Sequence, residues 1–210
     1  MPTDSTGARP RPCRPSHGRR SCWCWDPRGL GPAAGHLLGS VALAVLGRAE
    51  RPIVLVPAGA GAADERVPDS SGTASGTTPY RDIVVGLDRG ELHDAVREFA
   101  FEAAEPRAAA LRIVHVGKEP SGRAGAADEP VPEPLTDVLR AWRDRFPGVE
   151  VIEEAVIGQA GSHSADASRD ASVVVIGHKR QVGPLGALIG SVTHAVLRDA
   201  VAPVAVVPHD

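Results

Sequence analysis

The chain has 210 residues, a formal net charge of −3 and only 3% aromatic residues. That length suits one domain plus a fragment better than two full domains, and the near-neutral charge gives no reason to expect nucleic acid or an anionic membrane surface as a partner. All three cysteines, Cys13, Cys22 and Cys24, precede the patterned part of the chain, so no disulfide framework is expected and a reducing, cytoplasmic setting is the default.

Residues 1–27 are rich in Arg, Pro, Ser and Gly, lack usable periodicity and are expected to be disordered. Cys22-Trp23-Cys24 has no second ligand pair at a zinc-like spacing, so no metal is expected. The genetic code offers another account of this segment. Cys-Trp-Cys-Trp-Asp at 22–26 requires TGY TGG TGY TGG GAY, which read one base earlier gives Leu-Val-Leu-Gly, a buried strand ending in glycine. Residues 1–25 are on this reading out-of-frame translation, tested by resequencing the gene.

Arg19-Arg20 followed by the apolar run Leu37 to Leu46 imitates a twin-arginine signal. The same run recurs at Leu188 to Leu197, where no signal can sit, and it is shorter than the roughly 20 residues a membrane span needs. Gly39 to Ala49 reads as a helix and Ile53 to Val56 as a strand. Residues 60–79, rich in Gly, Ala, Ser and Thr, read as a flexible linker before a domain over 80–210.

That domain alternates strands and helices. Asp82 to Leu87 is an apolar run suited to a buried parallel strand. Glu91 to Glu105 has a helical stripe of Leu92, Ala95, Val96, Phe99, Ala100 and Ala103, ended by Pro106. Strand Leu111 to Val116, a polar loop over Gly117 to Glu133, helix Leu135 to Phe146 and strand Val149 to Ile157 follow. A short polar helix near Ser162 to Arg169, strand Ser172 to Ile176, helix Gly190 to Ala200 and strand Val204 to Val207 complete it, with Pro203 suiting an edge position. Right-handed βα alternation makes this an α/β fold, an open parallel five-stranded sheet covered on both faces, Rossmann-like or flavodoxin-like.

Two segments are copies of each other. Gly35 to Gly59 aligns without a gap on Gly186 to Asp210. Gly35, Leu37, Gly39, Ser40, Val41, Ala44, Val45, Leu46, Ala49, Pro52, Val56 and Pro57 recur as Gly186, Leu188, Gly190, Ser191, Val192, Ala195, Val196, Leu197, Ala200, Pro203, Val207 and Pro208. Only the second copy has a patterned domain before it, so residues 28–59 read as the last helix and strand of a truncated first domain.

Ligands in such sheets bind at the carboxyl ends of strands where the strand order reverses. Val85-Gly86-Leu87-Asp88 ends the first strand; Ile176-Gly177 ends the fourth, and Gly190-Ser191 opens the helix beyond it. Free amides, a hydroxyl and the positive end of the helix dipole suit a phosphate, and Asp88 suits a sugar or base. The alternative at Gly190-Ser191 is a plain helix cap.

Gly177 through Ser191, with Val192 to Leu197 and Pro203 to Val207, resembles the universal stress protein family. Its nucleotide motif is Gly, two residues, Gly, nine residues, Gly, then Ser or Thr; Gly177, Gly190 and Ser191 fall at the matching spacing. Asp88, His115-Val116, Trp142 to Phe146 before Pro147, and Ala167 to Ala171 match as well. The resemblance implies an adenine nucleotide alpha hydrolase-like sheet ordered 3-2-1-4-5, with ATP between strands one and four. It implies that Asp88 and Val116 hold the adenosine and that Gly177, Gly190 and Ser191 wrap ribose and phosphates. It also implies stress resistance as the role, and dimers or tandem pairs joined through the last strand.

The motif's second glycine is Arg180 here; in the first copy that position is Gly29 and the first glycine is Asp26. Arg180 either blocks the phosphate site or, with Lys179, clamps phosphates by charge. The leading expectation is an ATP-binding stress protein with a degenerate motif, and the rival is an interaction module that binds no nucleotide and works through its last strand. An ATP-pyrophosphatase-type enzyme ranks below both, because Asp88-Arg89-Gly90-Glu91 replaces that family's Ser-Gly-Gly-x-Asp-Ser loop. His178 reads as a loop residue, His115 as a packed or hydrogen-bonded one, and His163, Ser164 and Asp166 as a solvated helix face rather than a triad. No nucleophile-base pair supports more than weak ATP hydrolysis.

Overall fold

The structure is a computed structural model that describes residues 11–12, 23–25, 40–57, 59–87, 92–116, 135–156, 159–180, 182–183, 186–187 and 189–209. Five parallel strands form its centre: β4 (Asp82–Gly86), β5 (Leu111–Val116), β6 (Val151–Val156), β7 (Ala171–Lys179) and β10 (Val204–His209). They lie in the order β10-β7-β4-β5-β6, so the expected 3-2-1-4-5 arrangement is present. Helices α2 (Asp94–Ala104), α3 (Leu135–Arg145), α4 (Ala160–Ala167) and α5 (Ser191–Asp199) make the crossovers.

Alternation along the strands builds two cores. Val85, Ile113, Val175, Ala205 and Val207 face one side with Val96, Ala100 and Phe101 of α2 and Leu139 of α3. Val84, Val114, Val174, Ile176, Val204 and Val206 face the other, with Val196 and Leu197 of α5. Ring stacking of Phe101, Trp142 and Phe146, with centroids 5.3 to 5.9 Å apart, seals α2 against α3. On the second face, α4 and α5 meet so closely that a Cβ on Gly161 would lie 2.8 Å from Ala195 Cβ. The sheet ends at β6, where Glu153, Glu154 and a 39% exposed Ile152 give the open edge a charged surface.

Beyond β10 the sheet continues to eight strands rather than the expected five. β3 (Ile53–Leu55) runs antiparallel to β10, pairing Leu55 with Val204, Val54 with Ala205 and Ile53 with Val206. The last strands of the two copies thus pair within one chain. Val54 and Ala205 are the same position of the two copies, so a local twofold passes between them. β10 is therefore an interior strand, which corrects the edge position expected from Pro203. Proline is tolerated because it stands one residue before the ladder and contributes only its carbonyl, which accepts from the Val174 amide at 2.8 Å.

Two further strands lie within residues 1–27, where disorder was expected. β2 (Trp23–Trp25) runs parallel to β3, and β1 (Arg11–Pro12) antiparallel to β2. Trp23 pairs with Ile53 as Val174 pairs with Val204, the same relation within each copy. α1 (Ser40–Leu46) lies before β3, and its Leu46 is only 1% exposed within the second core. Of its other described side chains, Leu43 and Val45 are partly buried and Ala44 is exposed.

Residues 60–79, expected as a flexible linker, carry a dense local bonding pattern. Asp69 accepts from the Ser71 amide, the Ser71 hydroxyl and the Thr73 amide, an Asx-type turn that holds its carboxyl below the usual range. Further on, the Arg66 guanidinium lies 3.9 Å from the Tyr80 ring centroid, and the Val67 amide donates to Pro79 O. The chain doubles back before it enters β4. The polar loop expected over 117–133 lies outside the described residues.

Candidate functional site

The strand order reverses between β4 and β7, because β4 leads to β5 on one side while β7 and β10 lie on the other. At their carboxyl ends Gly86 is paired with Ile176, one residue before Gly177. Gly86 is glycine for a packing reason: a Cβ there would lie 2.5 Å from Ser164 Oγ. Ser164 is fully buried against that strand end, and its hydroxyl has no protein hydrogen-bond partner. It does not belong to the solvated face expected for His163, Ser164 and Asp166, because α4 turns this position onto β4.

Gly177 also answers to packing. A Cβ would meet the His209 ring at 3.1 Å and Val96 Cγ2 at 3.2 Å. β7 does not turn away at this glycine as a phosphate loop would. It continues to Lys179, pairing His178 with Pro208 and Lys179 with His209, and the Arg180 amide donates to His209 O at 3.0 Å. His178 is therefore a strand residue, 2% exposed, and not the loop residue expected. Its Nε2 has no protein partner, and burial, then the neighbouring His209, lowers its pKa. The Arg180 amide is thus committed to the ladder.

The opening of α5 is different. Gly190 has φ −61° and its missing Cβ would meet nothing nearer than Thr193 Oγ1 at 4.0 Å. Neither backbone conformation nor packing demands glycine at 190, so the space beside it is open. Ser191 starts the helix and is exposed, and no side chain caps the first turn. Thr193 Oγ1 donates to Gly177 O at 3.2 Å, which holds the amino end of α5 against the end of β7. As in any helix, the first-turn amides have no intrahelical acceptor.

Of the residues singled out from sequence, Gly177 is tied through its carbonyl to α5, the helix that Gly190 and Ser191 open, while Arg180 lies three residues further on, bonded to the end of β10. Val116 ends β5 in register with Val156, at the same sheet edge. Asp88 lies outside the described residues, although Leu87 just before it is buried and its amide donates to Val114 O. Sequence reasoning missed the stacked imidazoles of His93 and His209, with centroids 3.6 Å apart and planes inclined by 19°. Nothing in the spacing of two residues so distant in the chain signals that contact. Among the described residues no cluster of three or more His, Cys, Asp or Glu could hold a metal, and no helix is long and apolar enough to cross a membrane.

Comparison with known proteins gives a consistent answer. The family model described as "Universal stress protein family" matches residues 79–208, more than half of the chain. Universal stress protein Rv2005c of Mycobacterium tuberculosis is 28% identical over 184 residues, which cover 85% of this chain and 58% of that protein. This chain thus spans little more than half the length of such relatives. A crystal structure of a universal stress protein from Archaeoglobus fulgidus aligns with a TM-score of 0.56 at 18% identity, over 84% of this chain and 58% of that one. The functionally unknown protein PA1789 from Pseudomonas aeruginosa aligns with a TM-score of 0.55, also at 18% identity, over 90% of this chain and 63% of that one. These two likenesses establish the shared fold.

Proposed function

Because the chain belongs to the universal stress protein family, we propose that it is a cytoplasmic stress-response protein that binds an adenine nucleotide, ATP, between β4 and β7. The observation that carries this is the corner at α5. Gly190 is a glycine without a packing reason, and it opens a helix tied to Gly177 O by Thr193. Such an arrangement suits a phosphate approaching the first-turn amides. Asp88 and Val116 are assigned the adenosine, and Gly177, Gly190 and Ser191 the ribose and phosphates. The role is binding rather than turnover. Residues 28–59 are read as the last helix and strand of a preceding domain.

Arg180 sets the strength. Its amide extends the β7 ladder, and its side chain stands where the motif has glycine, so ATP binding is weak. Calorimetric titration of ATP into the whole chain tests this. Arg180→Gly should tighten binding about tenfold, a change of about 1.4 kcal/mol, and Gly190→Val should weaken it by at least as much. Equal affinity in wild type and Gly190→Val would remove the site.

The rival reading, an interaction module without nucleotide, draws on β10. Its outer edge, which the family resemblance assigns to a dimer or tandem partner, is filled by β3 of the same chain. A chain that shows no heat with ATP and elutes as a monomer would favour that intrachain role.

A further inference from the structure

Three imidazoles lie at the carboxyl ends of β7 and β10 beside the proposed nucleotide site, His93 and His209 on one face of the sheet and His178 on the other. His93 caps α2 and stacks on His209 at 3.6 Å, and His209 lies over Gly177. His178, on β7 and 2% exposed, has a buried Nε2 without a protein partner. The contact joins three elements that are otherwise separate in sequence: the start of α2, the end of β7 and the end of β10. Two imidazolium rings face to face at this separation repel, and the amino end of α2 opposes positive charge on His93 through its dipole.

We propose that the His93–His209 stack is an acid-sensitive latch that holds the start of α2 over the ends of β7 and β10 and releases it when the rings become charged. The neighbouring charges favour release. On α2, Asp94 pairs with Arg97 and is already engaged, and Glu98 follows one position on; Lys179 ends β7 and Arg180 follows, both cations exposed. Charge arriving on the imidazoles therefore joins two cations on the strand side. Histidine is the side chain that titrates between about pH 5 and 8, so the latch responds to cytoplasmic acidification. The latch does not depend on the nucleotide reading above.

Hydrogen exchange of the ligand-free whole chain is the test. After correction for intrinsic rates, amides at 94–98 should open about tenfold more readily near pH 5.5 than near pH 7.5, while amides in β4 and β5 hold. His93→Phe keeps a stacked ring without a titrating nitrogen and should reduce that response to less than about threefold; His209→Phe should act alike, and serves if the first variant folds poorly. Unchanged wild-type protection on acidification, or an equal response in wild type and both variants, overturns the latch. ATP affinity followed over the same pH range judges the nucleotide site separately. Absent binding sinks that reading and leaves the exchange result standing.

Discussion

The two copies within this chain share a sequence and differ in surroundings. In the second copy, β10 is flanked by β7 on one side and β3 on the other, and its first four residues are buried. In the first copy, β3 is three residues long, and the strand beyond it is the short β2. α5 packs against α4 at the close Gly161 approach. Among the described residues, β1 and β2 are the strands that precede α1. Even so, Leu46 of α1 and Leu197 of α5, the same position of the repeat, are 1% and 7% exposed in one continuous core. A short helix and strand hold their fold when a neighbouring sheet supplies a surface to bury against. Here β10 lends β3 a ladder, and the core on one face of the sheet runs on beneath α1.

The harshest way to break this comparison is to bury a charge at the local twofold. Ala205 is fully buried and Val54, its equivalent, half-buried. Ala205→Asp should cost about 4 kcal/mol or more and Val54→Asp about 1–2 kcal/mol, read from urea unfolding midpoints. Equal losses would mean that the two copies are embedded alike.

Leucine truncation sharpens the point. Leu46→Ala and Leu197→Ala should each cost about 2–4 kcal/mol, with one cooperative transition in both. If Leu46→Ala leaves the midpoint of the whole chain unchanged, the first copy is a tail that merely touches the domain.

Glycines separate packing from ligand space. Gly177→Ala should cost about 1–3 kcal/mol because His209 and Val96 crowd the added methyl. Gly190→Ala should stay within about 0.5 kcal/mol, because its site is open. Thermal unfolding of both variants compares them; a Gly190→Ala loss as large as that of Gly177→Ala would assign Gly190 to packing.

The smallest expected effect is in pH. The second copy borders His178, where the equivalent position before β3 is Pro27. Burial lowers the His178 pKa in the folded chain, so the unfolded chain binds more protons. Stability should be full above the ordinary histidine pKa of about 6.5 and decline as pH falls below it, lowering Tm by a few degrees near pH 5.5. His178→Leu should flatten that decline. An identical Tm profile in wild type and variant would show that His178 is not the group responsible.

Much of this molecule was readable before any coordinates. Apolar β-branched runs such as Ile83 to Val85 and Val173 to Ile176, separated by helical stripes, specify a parallel α/β sheet because each period suits only one backbone. The repeat itself marked Ile53 to Val56 as the counterpart of β10. Tertiary structure decided the rest. It carried β7 past Gly177 to Lys179, because an interior strand continues wherever a neighbour supplies ladder partners, here Pro208 and His209. It buried Ser164 and His178, whose polarity suggests water, because α4 and the neighbouring strands leave them no other direction. It drew strands from residues 11–12 and 23–25, whose composition suggests none, because β3 presented an unpaired edge. Local sequence determines which backbone a segment prefers; which groups then meet, and which glycines are free for a ligand, depends on surfaces brought together from distant parts of the chain.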